Sequence, residues 1–276
     1  MKLGVAYIVF DGVELLESSI KQIRSHVDWI SVIYQETSWF GIPLPKEDLG
    51  ILRGLLSSKL IDDLSLYSSF TPLKRTDSGS INTSKEYERS KRNRGLFLSL
   101  GQGCTHYLCM DADEFYLGHE FAKAKDEIIK KGYESTAVRF LNYVKVPTLH
   151  RGLDSNYVPF ICKISADSRM TNGFFVKCDP TRGIANRSKN SHAFDPSFIK
   201  MHHMETVRKR LDLKYKSTTR RFFDRTQIDS LVQNIRNISE ESTIFSFNKV
   251  IYPGLGQISL TKCSNEFDIP YESWKS

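Results

Sequence analysis

The opening of this chain limits its fold more than any other feature. Two short apolar runs, Leu3 to Phe10 and Trp29 to Tyr34, flank a segment in which Leu15, Leu16, Ser19, Ile20 and Ile23 recur at helical spacing. The runs read as buried strands, the first closed by the turn-forming pair Asp11-Gly12. A strand, helix and strand within roughly thirty residues predict a parallel sheet. The fold class expected is therefore α/β, Rossmann-like, with a mixed but mainly parallel sheet flanked by helices. Its ligand edge should lie at the carboxyl ends of the strands.

Residues Thr37 to Asn82 show weak periodicity and contain Pro43, Pro45 and Pro72, so they read as an insertion holding a helical turn or two. A better helix runs from about Ser84 to Leu100 and stops at Gly101. A third apolar strand, Thr105 to Met110, then delivers Asp111-Ala112-Asp113-Glu114 at its carboxyl end. A helix from His119 to Lys131 follows, and strand-like stretches cover Thr136 to Val146, Tyr157 to Ile164 and Phe174 to Lys177. The expected division is a catalytic unit over 1–204 and a basic helical extension over 205–276.

Two carboxylates one residue apart, placed directly after a buried strand, can both face one cation. Mg²⁺ and Mn²⁺ prefer such oxygen ligands and share their remaining positions with phosphate and water. An Asp-x-Asp triplet alone is as easily a solvated turn. The apolar strand before it, and Glu114, Phe115 and Tyr116 after it, favour a site. A metal there would offset charge growing on a departing diphosphate, which suits a nucleotide-sugar donor.

Two further clusters accompany the triplet. Glu88 to Gly95 holds four cationic side chains on the preceding helix, of which Lys91 and Arg92, with Asn93, are candidates for the donor's diphosphate and nucleoside. Met201-His202-His203-Met204-Glu205 offers one histidine to the site, because neighbours on a strand face opposite ways. His203 is the expected metal ligand beside Asp111 and Asp113.

These residues resemble the family 2-like glycosyltransferases of the GT-A fold. The likeness covers Gly4 to Gln35, Lys91 to Leu96, Gly103 to Phe115 and His203 to Arg208. The strings Tyr34-Gln35-Glu36-Thr37-Ser38 and Asp111 to Tyr116 are similar to a tailed-phage branch linked to sugar addition on hydroxymethylated cytosine in DNA. The resemblance implies that Asp11, Gln35 and Thr37 line the nucleotide pocket. It also implies that Asp111 touches ribose and metal, that Asp113 binds the metal and that His203 completes its coordination, with a UDP-sugar as donor. Asp11-Gly12-Val13-Glu14 departs from the family's usual Asn-Glu pair. The usual downstream base is not obvious either, and Glu205 and Asp179 are the candidates.

Charge enters through the acceptor. The chain carries +7, and Lys200 to Arg225 supplies nine Lys or Arg against three acids. Val207, Leu211, Tyr215, Thr218 and Phe222 give that segment an apolar helical stripe. A basic helix of this kind suits an anionic polymer, so DNA is the expected acceptor, with Lys209, Arg210, Lys216, Arg220 and Arg221 on its phosphates. Glycan or lipopolysaccharide assembly is the alternative acceptor reading. A non-enzymatic nucleic-acid-binding module would leave the acidic triplet unexplained. A sugar nucleotidyltransferase would want a Gly-rich basic loop where the acidic Asp11 to Glu14 stands, and an Asp-x-Asp phosphatase would want its acids after the first strand. Five cysteines without CxxC spacing argue against zinc and disulfides, and no run approaches the ~20 apolar residues of a membrane helix. A soluble protein of a reducing cytoplasm is the expectation.

Overall fold

The computed structural model describes residues 1–74, 80–185, 188–217, 225–246 and 257–274. Its main sheet starts with β1 (Leu3–Val9), β2 (Trp29–Tyr34), β3 (Asp63–Leu66) and β4 (His106–Asp111), which lie in the order β3-β2-β1-β4, all parallel. Every residue of β1 is buried, as a strand covered on both faces must be. The short β5 (Glu114–Phe115), the long hairpin of β6 (Ser135–Val144) and β7 (Val146–Lys163), β8 (Arg169–Thr171), β9 (Gly183–Ala185), β10 (Ser191–Ala193) and β11 (Met201–His203) follow. The sheet continues β4-β7-β6-β11-β5, antiparallel except where β11 runs parallel to β6. A mixed sheet with a parallel half is the architecture that the opening predicts.

Helices α1 (Val13–Ile23), α2 (Lys46–Ser57), α3 (Ser80–Gly101) and α4 (Gly118–Lys131) flank it. The apolar stripe of α1, including Leu15, Leu16, Ile20 and Ile23, is fully buried. Gly95 lets α3 approach β1 closely. A Cβ there would collide with Ala6 and stand 2.9 Å from the Tyr107 hydroxyl, so only a residue without a side chain fits.

The C-terminal part contains α5 (Leu211–Ser217), α6 (Arg225–Arg236), the pair β12 (Ile244–Ser246) and β13 (Gln257–Ser259), and β14 (Thr261–Lys262). Leu211, Tyr215, Leu231, Val232 and Ile235 form one apolar cluster with Val144, Val146 and Leu149 of the β6–β7 hairpin. β14 adds itself antiparallel to β7. The C-terminal segment is thereby joined to the main sheet by hydrogen bonds as well as by packing.

Several sequence expectations change here. The insertion between residues 37 and 82 holds a twelve-residue helix, α2, and an edge strand, β3. The strand was hidden because only Ser65 of its four residues is buried, which leaves no apolar pattern. Phe174 to Lys177 is not a strand; the chain there passes between β8 and β9. β7 begins at Val146, well before Tyr157, and its polar first half gave no signal. Of the helix expected from Glu205 to Arg225, residues 205–210 form turns and Leu211–Ser217 form α5, while 218–224 lie outside the described residues. Hydrogen bonds from Met204 N–H to the Asp113 carbonyl (2.7 Å) and from Val207 N–H to the Met204 carbonyl (3.1 Å) hold the first of these turns against the acidic triplet. Val207, Leu211 and Tyr215 are buried as the stripe requires, while Thr218 and Phe222 lie outside the described residues. Among the described residues, no helix is long and apolar enough to cross a membrane.

Candidate active site

The parallel register explains why the site forms where it does. Ile8 of β1 stands opposite Asp111 of β4, and Val9 opposite Tyr34 of β2. The residues next beyond each strand, Asp11, Gln35 and the triplet, therefore come to one edge. A cavity of about 680 Å³ opens there, walled by Asp11, Gln35, Trp39, Lys91, Arg92, Asp111, Asp113, Asp179, Arg208 and Lys214 among others. That size falls within the range of about 300–1,000 Å³ usual for small-molecule sites.

Of the expected nucleotide-pocket residues, Thr37 and Asn93 are not on this wall. Thr37 offers its carbonyl to Gln35 Nε2 at 2.7 Å. Asn93 sits on the other side of α3, where its Oδ1 accepts the Met170 N–H at 2.8 Å. One helix cannot present Lys91, Arg92 and Asn93 to the same cavity, because successive residues are turned about 100° apart.

Lys91 is buried and donates to the Val9 carbonyl at 2.7 Å and to Gln35 Oε1 at 2.8 Å. It ties the ends of β1 and β2 together. Burial pulls its ammonium down to about 8, against the opposing pull of Glu88. A base whose folded pKa lies below its unfolded one binds fewer protons when folded, so stability rises with pH between the two values. We expect Lys91→Met to flatten the stability difference measured by urea unfolding between pH 8 and pH 10.5 relative to wild type. An identical pH slope in both proteins would refute the assignment.

The triplet is embedded in cations. Arg182, 5% exposed, bonds Asp111 and also Glu114, the latter at 2.5 Å. Arg92 Nη2 lies 3.0 Å from Asp111 Oδ1. Asp113 Oδ2 receives Arg208, Lys214 at 2.8 Å and His203 Nε2 at 3.4 Å. Arg208 reaches Asp11 as well, at 3.0 Å. Gly12 is essential to that contact: its φ of 70° is left-handed, and a Cβ there would collide with the Arg208 guanidinium. Burial opposes ionisation of Asp113, but Lys214, Arg208 and His203 outweigh it and hold the carboxyl well below the usual range. Asp111 is likewise lowered, burial being overcome by Arg182 and Arg92. Glu114 goes the other way, since burial exceeds the pull of Arg182.

The two histidines diverge. His202 is buried, pairs its Nδ1 with the Tyr143 hydroxyl at 2.9 Å and packs on Phe267. Burial, with Lys200 and His150, pulls it down to about 3, so it is a neutral packing residue. His203 faces Asp113. Its Nδ1 lies 3.1 Å from Asn142 Oδ1, and Asn142 Nδ2 donates to Asp154 at 3.2 Å. Asn142 is thus committed as an acceptor toward the ring. That turns Nε2, the other ring nitrogen, to the Asp113 carboxylate.

Nε2 and a carboxylate oxygen 3.4 Å apart can share a metal cation in place of a proton, and a hydrogen-bonded outer nitrogen is the usual support of a metal-binding histidine. The third expected ligand is turned aside, because Asp111 is drawn to Arg92 and Arg182. Among the described residues, no three His, Cys, Asp or Glu side chains are grouped as a closed metal site. Asp113 and His203 are thus the pair that could hold an ion, with ligand oxygens completing its shell, once Arg208 and Lys214 turn away from Asp113.

A second cavity, of about 400 Å³, shares Asp111, Asp113, Asp179 and Lys214 with the first. Glu205, 7% exposed, lines only the second. Asp179 is held by Thr181 N–H at 2.7 Å and Thr181 Oγ1 at 2.6 Å. Burial raises its carboxyl, but Arg92 and Arg182 bring it below the ordinary value.

Most of the described cations of the basic segment pair with acids of this chain. Arg208 and Lys214 serve the triplet, Arg210 binds Glu47 and Asp48, and Lys216 pairs with Asp212 at 3.1 Å. Lys209 is exposed, and Arg220 and Arg221 lie outside the described residues. Arg182, Arg208 and Lys214 were not singled out from the sequence as site residues. A lone arginine in Asp179-Pro180-Thr181-Arg182 carries no local signal, and the other two were hidden within a run of similar charges.

No family model matches the chain, and no curated protein matches it. Among solved structures it is similar to S. aureus TarS 1–349, with a TM-score of 0.43 and 10% identity over 86% of this chain and 72% of that one. The same fragment in complex with UDP gives a TM-score of 0.42 and 12% identity over 86% and 71%. Against another TarS structure the match has a TM-score of 0.34 and 13% identity, covering 51% of this chain and 22% of that one. The chain therefore spans under a quarter of that relative. At these scores the likeness says nothing of what this chain does.

Proposed function

We propose that this protein is a glycosyltransferase that moves a sugar from a nucleoside-diphosphate sugar to an acceptor hydroxyl, a UDP-sugar being the donor to test first. One observation carries the reading: a cavity at the carboxyl edge of parallel strands sets Lys91, Arg92, Arg208 and Lys214 around an acidic pair. Such a wall can hold a diphosphate and take up the charge released when it leaves. In the reaction the acceptor oxygen bonds to the anomeric carbon. The bond from that carbon to the diphosphate breaks with its electron pair going to phosphate oxygen. The hydroxyl proton passes to a carboxylate.

Asp113 and His203 are the residues that would hold Mn²⁺ or Mg²⁺, with Asp111 beside them. The ion when bound offsets negative charge on the diphosphate. Arg208 and Lys214 are donors poised at the same place, able to turn from Asp113 to phosphate. Of the two candidate bases, Glu205 is the better. It lines only the second cavity, whereas Asp179 faces cations that favour its ionised, weakly basic form.

Differential thermal unfolding with UDP and Mn²⁺ tests the donor site, since a ligand bound only by the folded state raises Tm. UDP with Mn²⁺ should stabilise more than either alone, and the absence of any shift would overturn the reading. Glu205→Gln should lower kcat by about 10²–10⁴ while UDP affinity stays within about twofold. A kcat near that of wild type would remove Glu205 as the base. A glycan hydroxyl is favoured over hydroxymethylated cytosine in DNA as acceptor, because among the described cations of the basic segment Arg208 and Lys214 face the site's own acids and Lys200, Arg210 and Lys216 pair with other acids of the chain.

A further inference from the structure

We propose that the second cavity is the acceptor subsite and that it takes an uncharged, hydroxyl-rich sugar unit; this rests on the glycosyltransferase reading above. The first support is position. The cavity of about 400 Å³ meets the first cavity at Asp111, Asp113, Asp179 and Lys214, so an occupant would lie beside the donor at the acidic pair. Glu205 stands on its wall to receive the hydroxyl proton.

The second support is the chemistry of the remaining wall. β7 contributes Arg151, Asp154, Asn156 and Tyr157, and β6 contributes Phe140 and Asn142. Asp154 is fixed by its neighbours: Oδ1 accepts the Asn156 N–H at 3.0 Å and Asn156 Nδ2 at 2.9 Å, and Oδ2 accepts Asn142 Nδ2 at 3.2 Å. A rigid carboxylate among amides and a phenol gives directed acceptors and donors to vicinal hydroxyls. An extended hydroxylated ring can satisfy many of them at once.

The third support is charge and shape. Six acids line the cavity (Asp111, Asp113, Glu114, Asp154, Asp179 and Glu205), against Arg151, Arg182 and Lys214 as fixed cations. These cations are already paired, Arg182 and Lys214 with the triplet and Arg151 with Asp154 at 3.9 Å, so phosphates of a polyanionic acceptor would have to compete with the wall's own acids. Phe140 and His203 meet edge to face, with centroids 5.8 Å apart and planes at 84°. A flipped nucleobase is clasped between parallel faces, which this pair does not offer.

The experiment uses the full chain with UDP and Mn²⁺ present. Binding of methyl glycosides of neutral hexoses, pentoses and N-acetylhexosamines is read by saturation-transfer NMR, and a duplex containing hydroxymethylcytosine is titrated in parallel. At least one methyl glycoside should bind, and Asn156→Ala should weaken it about tenfold, the loss of one or two hydrogen bonds, while UDP affinity stays within about twofold. Tyr157→Phe provides a second variant that keeps the ring and removes only the hydroxyl. Failure of every glycoside to bind, binding unchanged in both variants, or sugar transfer to the duplex alone would each overturn the proposal. Those outcomes leave UDP binding intact, whereas loss of UDP binding in wild type would overturn the glycosyltransferase reading beneath it.

Discussion

Asp113→Asn is expected to lower the rate of sugar transfer by about 10²–10³, the cost typical of removing one charge-stabilising group from a reacting centre. Asparagine keeps the shape, so the carbonyl that anchors Met204 N–H stays in place. What goes is the negative charge that gathers Arg208, Lys214 and His203 onto one oxygen. Without it a divalent ion has only His203 as a strong ligand on this side, and the two cations lose the partner that orients them. The measurement is kcat with a UDP-sugar across a Mn²⁺ titration. A rate within a few-fold of wild type at unchanged metal requirement would sink the assignment. A pH effect accompanies it. The Asp113 carboxyl is held well below its ordinary pKa, so its stabilisation is complete above about pH 4 and is lost as pH falls toward the folded value. The variant lacks this group and should lose less stability than wild type on acidification through that window.

Arg182→Met is expected to cost about 3–5 kcal/mol of folding stability, the range for breaking a buried ion pair from one side. Arg182 is the shared partner of Asp111 and Glu114, and both carboxylates are drawn up by burial. Methionine fills much of the space and leaves Glu114, 3% exposed, beside Asp111 without that cation. A carboxyl whose folded pKa is raised binds more protons in the folded state, so its contribution to stability declines as pH rises. The gap between variant and wild type should therefore widen from pH 5 to pH 8. Urea midpoints at the two pH values would show it. A midpoint shift that is small, or that is equal at both, would show that Arg182 is not the counterweight to these acids.

Much of the first cavity's edge was legible in advance because it is written in short-range pattern. Continuous apolar runs gave β1, β2 and β4, and the triplet's place at the end of β4 followed directly. Lys91 and Arg92 were nameable from a basic cluster on the helix before that strand, yet Asn93 was not separable from them, since the helix phase relative to the sheet is absent from the sequence. The second cavity was far less readable. The first half of β7 carries Arg151, Asp154 and Asn156, a polar stretch that resembles a loop until its pairing with β6 is known.

The amino-acid sequence by itself determined the order of β1, α1, β2, α3, β4 and α4, the sheet edge at which the first cavity opens and the acids that stand there. Those are consequences of hydrophobic periodicity, which acts over a few residues. Tertiary structure alone decided which charges meet. Arg182, Arg208 and Lys214 are distant in sequence from Asp111 and Asp113, and which of many arginines and lysines neutralises a buried acid depends on how β11 and α5 are laid across the triplet. The two adjacent histidines show the same division. Strand alternation requires them to point apart, but only the pairing of β11 with β5 and β6 fixes His203 toward Asp113 and His202 into the core, because the side-chain period of two gives the parity and the neighbouring strands set its sign.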